Sequence, residues 1–244
     1  MSERTGMASD LGPPTMAATT VLWDIDGTLL RSGAVAAQAF LDAVAEVTGV
    51  RPTPEGRDYG GRLDTEIAEM LLAAVGAEMA RVADVLEALR RLVFERLHDL
   101  RAQTRTFAGV DSLVALLAAA GVRQTVVTGN LAAIAGYKLE AGGLIPPIEL
   151  ELGGFGDSAA SRAAVAQVAI DRLAAAGWRP DLAEVWIVGD TPRDLACARA
   201  VGVRCALVAT GRTPIEDLAG LGADIVLPDL SDPRPLLDLM RISA

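Results

Sequence analysis

Short β-branched runs alternate with longer Ala- and Leu-rich stretches along most of this chain. Strands are predicted over residues 20–25, 123–128, 148–152, 184–188, 204–208 and 224–227, and most of these runs end at a glycine or aspartate turn. Helical periods lie between them, as at 111–120, 161–176 and 193–200. This alternation predicts an α/β fold, a Rossmann-like and mainly parallel sheet with helices on both faces. Catalytic groups in such sheets collect at the carboxyl ends of the strands. One stretch breaks the pattern. From 33 to 106 only helical periods occur (34–47, 65–75 and 78–100), interrupted by a turn-rich segment at 51–61. An inserted all-helical cap domain is therefore expected over 33–106, within a core domain formed by 19–32 and 107–244. Residues 1–18 mix Ser, Gly, Pro and charge without period and are expected to form a disordered tail.

Composition narrows the functional classes. With 51% hydrophobic residues but only 4% aromatic, the core must be built mainly from Ala, Leu and Val. Twenty-two basic against 32 acidic side chains leave a net charge of −10. That balance argues against nucleic-acid or anionic-membrane partners, which require basic surfaces. A small anionic ligand in a local pocket remains compatible with it. The two cysteines, Cys197 and Cys205, do not make a disulfide framework in a chain of this size and read as reduced thiols. With no leader-peptide pattern and no apolar run near the ~20 residues of a membrane span, the expected compartment is the cytoplasm. A single histidine, His98, excludes His-rich metal sites and points away from a Ser-His-Asp triad.

The chemistry concentrates at the end of the first predicted strand, in Asp24-Ile25-Asp26-Gly27-Thr28-Leu29. In extended backbone the side chains at i and i+2 share a face, so Asp24 and Asp26 can be presented together. Gly27 then lets the chain turn away sharply. Two neighbouring carboxylates are tolerable where a cation lies beside them. Further along, Thr128 closes the strand in Gln124-Thr125-Val126-Val127-Thr128-Gly129-Asn130, and a helix follows. A hydroxyl with free amides at a helix start can cradle a phosphate. A second acidic pair, Asp190 and Asp194, follows the strand in Val185-Trp186-Ile187-Val188-Gly189-Asp190-Thr191-Pro192-Arg193-Asp194.

In their order and spacing these motifs resemble those of the haloacid dehalogenase (HAD) superfamily, DxDGT, then a strand-terminal Thr, then GDxxxD. The early helical cap is similar to that of its phosphoglycolate-phosphatase-like branch. The resemblance implies a Mg²⁺-dependent phosphatase with Asp24 as nucleophile and Asp26 as general acid and base. Asp24, Asp26, Asp190 and Asp194 would hold the metal, and Thr128, Gly27, Gly129 and Asn130 would surround the phosphate. Asp26 favours phosphoryl chemistry over dehalogenation, which needs no second aspartate. The family's usual Lys-Pro pair is absent, and its cation falls to Arg162 in preference to Lys138, the chain's only lysine. In the cap, Arg62 of Gly60-Gly61-Arg62-Leu63-Asp64-Thr65 either recognises a substrate anion or pairs with Asp64 or Glu66. The implied partner is a small phosphorylated metabolite, handled by a monomer or homodimer. A phosphomutase of the same superfamily and a catalytically weak binding protein on this scaffold are the alternative functions.

Overall fold

In a computed structural model of the chain, residues 19–53 and 58–242 are described, so the tail expected over 1–18 lies outside them. In chain order the elements are β1 (Thr20–Trp23), β2 (Leu30–Arg31), α1 (Val35–Thr48), α2 (Asp64–Ala74), α3 (Val82–Glu95), α4 (Leu97–Gln103) and β3 (Arg105–Thr106). There follow α5 (Val110–Ala119), β4 (Arg123–Val126), α6 (Ala132–Ala141), α7 (Arg162–Ala175) and β5 (Val185–Gly189). The chain closes with α8 (Pro192–Val201), β6 (Arg204–Val208), α9 (Ile215–Ala219), β7 (Ile225–Leu227) and α10 (Arg234–Met240).

Five strands form one parallel sheet in the order β4-β1-β5-β6-β7. Strand residues alternate between its faces, as a period of two requires. Val21, Trp23, Trp186, Val188, Ala206 and Val208 pack with apolar residues of α5, α6 and α10. Leu22, Val185, Ile187, Cys205 and Leu207 pack with α7, α8 and α9 on the opposite face. With both faces covered, the central strand β5, Val185-Trp186-Ile187-Val188-Gly189, is an apolar run rather than an alternating one. No helix among the described residues is long and apolar enough to cross a membrane.

Three elements differ from the sequence expectation. Residues 148–152 form no strand; a 3-10 turn at Leu150–Leu152 interrupts the segment beside β4. Its backbone still touches that edge on either side of the turn, through Glu149 N to Gln124 O (2.8 Å) and Gly154 N to Val126 O (2.8 Å). The helix expected over 78–100 begins with a 3-10 turn at Met79–Arg81 and breaks at Arg96, whose guanidinium donates to Asp42 of α1 at 2.6 Å. The stretch expected to be wholly helical ends in β3, which pairs antiparallel with β2. This two-stranded ribbon is where the chain leaves the sheet and returns to it, and a two-residue strand carries no readable period.

Helices α1 to α4 bury a separate apolar cluster centred on Ala39, Val44, Leu72, Val85, Leu89 and Val93. Leu131 and Ile134, at the start of α6, join it from the sheet side. A second contact is polar and close. Gly129 O accepts from Asp64 N at 2.8 Å, and a Cβ on Gly129 would overlap the Arg62 carbonyl. Gly129→Ala is expected to cost about 1–3 kcal/mol as an overpacked contact, at roughly 2–4 °C of Tm per kcal/mol. A thermal melt indistinguishable from wild type would contradict this close approach.

Candidate active site

Three neighbouring strands, β4, β1 and β5, end side by side, and each delivers one polar residue to the same edge. The Asp24 amide donates to Val188 O at 2.9 Å, which extends strand geometry one residue past β1. Thr128 N donates to Gly154 O at 3.1 Å, and its buried hydroxyl accepts from Asn130 N at 3.3 Å. Asp190 follows β5 directly. Glycines make room for it, because a Cβ on either Gly27 or Gly211 would overlap its carboxylate. Gly27 also sits at φ +93°, a conformation that glycine adopts without strain. Thr28 Oγ1 donates to Asp190 Oδ1 at 3.2 Å, and Thr210 Oγ1 donates to Gly27 O at 2.5 Å.

The carboxylates of Asp24, Asp190 and Asp194 are all buried, with one oxygen from each lying within 4.8 Å of the others. Burial pushes the Asp24 carboxyl up to about 7, with Arg162 opposing and Asp194 adding to the rise. Burial, then the charges of Asp24 and Asp194, push Asp190 up to about 8. Such a cluster of crowded oxygen donors suits a hard divalent cation, so the residues present fit a magnesium-type ion. Arg162 supplies positive charge from the first turn of α7, donating to Asp24 Oδ1 at 2.7 Å and also to Asp194. Burial works against its charge, but the two aspartates raise its pKa. Its Nε is buried without a hydrogen-bond partner among the described residues.

Asp26 stands apart from the carboxylate cluster. Its half-exposed carboxylate pairs with Lys138, and Lys138 Nζ also donates to Asn130 Oδ1 at 2.9 Å. Asp26 was expected as a metal ligand; its side chain pairs with the lysine and lies outside the three-carboxylate group. Asp194 is similarly committed, its Oδ2 accepting from Thr191 N and Oγ1 at 3.0 and 2.7 Å and its Oδ1 from Arg162. The two candidate cations are thus both in the site, each on a different aspartate. Arg62 makes neither expected pairing, since its Nε donates to Asp58 O at 2.7 Å while Glu66 caps Leu63 N at 3.0 Å. Asp64 is buried and accepts from Leu131 N at 2.8 Å; burial pushes its carboxyl up to about 6 against the pull of Lys138. All of these groups open onto a cleft of about 1000 Å³ between the sheet edge and the helical insertion.

Several contributors escaped the sequence reading. Thr191 with Asp194 forms a capping box with Pro192 at the first helical position, a pattern visible in the string Thr191-Pro192-Arg193-Asp194. Gly211 and Thr210 come from the loop after β6 and carry no local signature. Arg193, which donates to Asp58 Oδ2 at 3.0 Å and Gly60 O at 2.7 Å, ties α8 to the insertion's loop. That contact joins residues far apart in sequence, and spacing alone could not have revealed it.

Comparisons with known proteins identify the family and the fold. The sequence model of the HAD family, haloacid dehalogenase-like hydrolase, matches residues 21–199. A phosphoglycolate phosphatase of Rhodospirillum rubrum is 32% identical over 221 residues, covering 86% of this chain and 87% of that protein. A plasmid phosphoglycolate phosphatase of Cupriavidus necator is 30% identical over 234 residues, covering 92% and 95%. Among solved structures, CbbY from Rhodobacter sphaeroides in complex with phosphate shares the fold with a TM-score of 0.68 at 19% identity, covering 88% of this chain and 96% of that one. Strand-end aspartates, the β4-β1-β5 edge and a match over most of the sequence converge, and the chain belongs to the haloacid dehalogenase-like hydrolase family.

Proposed function

We propose that this protein is a magnesium-dependent phosphatase that hydrolyses a small phosphomonoester through an aspartyl-phosphate on Asp24. The chain is a phosphoric monoester hydrolase of its family. The metal, the intermediate and the division of labour go beyond that and rest chiefly on one observation, the buried Asp24–Asp190–Asp194 cluster bridged by Arg162. In this reading residues 33–106 act as a cap domain over a core of 19–32 and 107–244. The two free, buried cysteines suit a reducing compartment such as the cytoplasm.

In the first step a carboxylate oxygen of Asp24 attacks phosphorus, and the bond from phosphorus to the ester oxygen breaks. Asp26 gives its proton to that leaving oxygen. In the second step water attacks the phosphorus of the aspartyl-phosphate, Asp26 takes the water's proton, and cleavage from Asp24 frees inorganic phosphate. Arg162 balances the charge of Asp24, and its unpartnered Nε offers a donor to a phosphoryl oxygen. Thr128 and the backbone amides after it face the same group. A Mg²⁺ held by Asp24 and Asp190 would add Lewis-acid stabilisation of the phosphoryl oxygens, with Asp194 orienting Arg162 and the ion's surroundings. Lys138 holds the Asp26 side chain in place rather than substituting for Arg162.

Asp24→Asn is expected to lower kcat on an aryl phosphate by at least about a thousandfold, as loss of a covalent nucleophile does. Release of inorganic phosphate that survives both this substitution and EDTA would overturn the mechanism. The two cations should separate by leaving group. Arg162→Ala should cost all substrates alike, whereas Lys138→Met should slow alkyl phosphates, which need protonation on departure, by about 10- to 100-fold more than nitrophenyl phosphate. Equal losses from Lys138→Met on both substrates would refute its assignment to Asp26.

The carboxylate cluster also sets a pH dependence. Asp24 and Asp190 rise from 3.8 to about 7 and about 8, so the folded state holds extra protons, and its stability falls as pH rises through that interval. In EDTA, Asp190→Asn should therefore melt higher than wild type at pH 8, by roughly 2–4 °C per kcal/mol relieved, with a smaller gap at pH 5. Added Mg²⁺ should raise the Tm of wild type and not of the variant. A gap that does not change with pH, together with no response to Mg²⁺, would contradict the metal assignment.

A further inference from the structure

Asp64 takes no part in the steps above, yet among the described residues it is the one buried acidic side chain of the insertion, and it lines the cleft. It opens α2 and grips the chain on both sides of Asn130. Its amide donates to Gly129 O at 2.8 Å, and its Oδ2 accepts from Leu131 N at 2.8 Å. Local structure does not call for a charge there. Glu66 already caps Leu63 N at the start of α2, and Asp157 accepts from Ala132 N at the start of α6 at 3.2 Å. A neutral amide could accept from Leu131 N in the same place. The charge is also costly, because burial raises the Asp64 carboxyl from 3.8 to about 6.

What the charge reaches is Asn130. The Asn130 side chain hydrogen-bonds with Asp64 on one side, and on the other its Oδ1 accepts from Lys138 Nζ at 2.9 Å. Lys138 in turn holds Asp26, and all four side chains line the cleft. An ammonium only donates and a carboxylate only accepts, so the two neighbours demand opposite ends of one amide. Together they leave Asn130 a single orientation, with its carbonyl oxygen on the lysine and its NH2 on the aspartate. We infer that Asp64 is a positioning residue, which fixes the Asn130 amide and thereby orients Lys138 and the Asp26 carboxylate for proton transfer to the leaving oxygen. The inference rests on the phosphatase reading of Asp24 and Asp26 and adds a residue of the insertion to its proton-transfer arm.

The test compares n-butyl phosphate with nitrophenyl phosphate on the full-length protein with Mg²⁺. Asp64→Asn keeps the shape, removes the charge and frees Asn130 to turn. It is expected to lower kcat on the alkyl ester about 10-fold more than on the aryl ester, which departs without a proton. Asn130→Ala should show the same preference, and adding Asp64→Asn to it should cost no more than about twofold further, since one residue acts through the other. Glu66→Ala, which removes the neighbouring cap, should leave the ratio of the two esters unchanged. A raised carboxyl pKa means that the folded state holds extra protons and loses stability as pH rises from 3.8 through about 6, so Asp64→Asn should melt no lower than wild type at pH 8. Lys138 is the chain's only lysine, so a sample labelled with ¹⁵N at the lysine Nζ gives one ammonium signal. Asp64→Asn and Asn130→Ala should both shift that signal and speed its hydrogen exchange. An unchanged Lys138 signal, equal losses on both esters, or additive losses in the double variant would overturn the role of Asp64. Wild-type protein that hydrolyses neither ester would remove the phosphatase reading, and the Lys138 signal would then decide the link through Asn130 by itself.

Discussion

Three buried carboxylates meet at one sheet edge, and the construction of the surrounding site follows from keeping them there. Burial and the neighbouring Asp194 carboxylate disfavour the charge of Asp24 and Asp190. Arg162 is the group in the fold that offsets this, through one guanidinium shared by Asp24 and Asp194. A planar fork suits that task better than an ammonium, since it can address two carboxylates in fixed directions. Ser161, whose Oγ accepts from Ala164 N, caps α7 and so fixes the turn from which Arg162 projects. Among the described residues no cation pairs with Asp190; the Thr28 hydroxyl donates to it, and Gly27 and Gly211 leave room for its carboxylate. That asymmetry leaves Asp190 as the carboxylate with most to gain from a bound cation.

The sheet order explains why these groups meet. β1 lies between β4 and β5, and the chain reverses its direction of travel across the sheet there, which opens a crevice at the carboxyl ends. The helical insertion leaves immediately after β1 through the β2–β3 ribbon and therefore lies over that crevice. Two contacts keep it close, Gly129 with the Arg62–Asp64 backbone and Arg193 with Asp58 and Gly60. Both involve the loop that precedes α2, so the same short segment closes the cleft and borders the catalytic groups.

Much of the core was legible from sequence because its signals are local. A central buried strand reads as an apolar run, and an aspartate placed just past such a run reads as a strand-end group; Asp24 and Asp190 were identified this way, and Thr128 from its place in the order of motifs. Five of the six predicted strands are present within a residue or two at their ends. The sixth failed because residues 148–152 have a strand's composition yet turn at Leu150–Leu152, and composition does not report a turn that neighbouring backbone imposes. The ribbon β2–β3 was hidden for the opposite reason, being too short to show a period. Side-chain pairings were the least legible. Spacing placed both Arg162 and Lys138 within reach of the aspartates but could not assign a partner to either. It also gave no hint that Arg62 would be held by Asp58, or that the Asp26 carboxylate would be drawn away from the acidic cluster.

The separation of the two cations has a chemical logic of its own. The proposed nucleophile must ionise to attack, and Arg162, which cannot lose its proton, opposes the burial that pushes the Asp24 carboxyl up. In the proposed mechanism the general acid and base exchanges protons in every turnover, so it gains from lying outside the dry cluster. Asp26 does so, half-exposed and held by the one lysine. Asn130 anchors that lysine, and Asp64 of the insertion contributes charge beside it. Two carboxylates that are adjacent but one in the strand sequence thereby occupy different surroundings, Asp24 buried against a guanidinium and Asp26 half-exposed against an amine. Neighbours in sequence can divide two roles only if the fold supplies each with a different partner, and here those partners arrive from α7 and α6, on opposite faces of the same sheet.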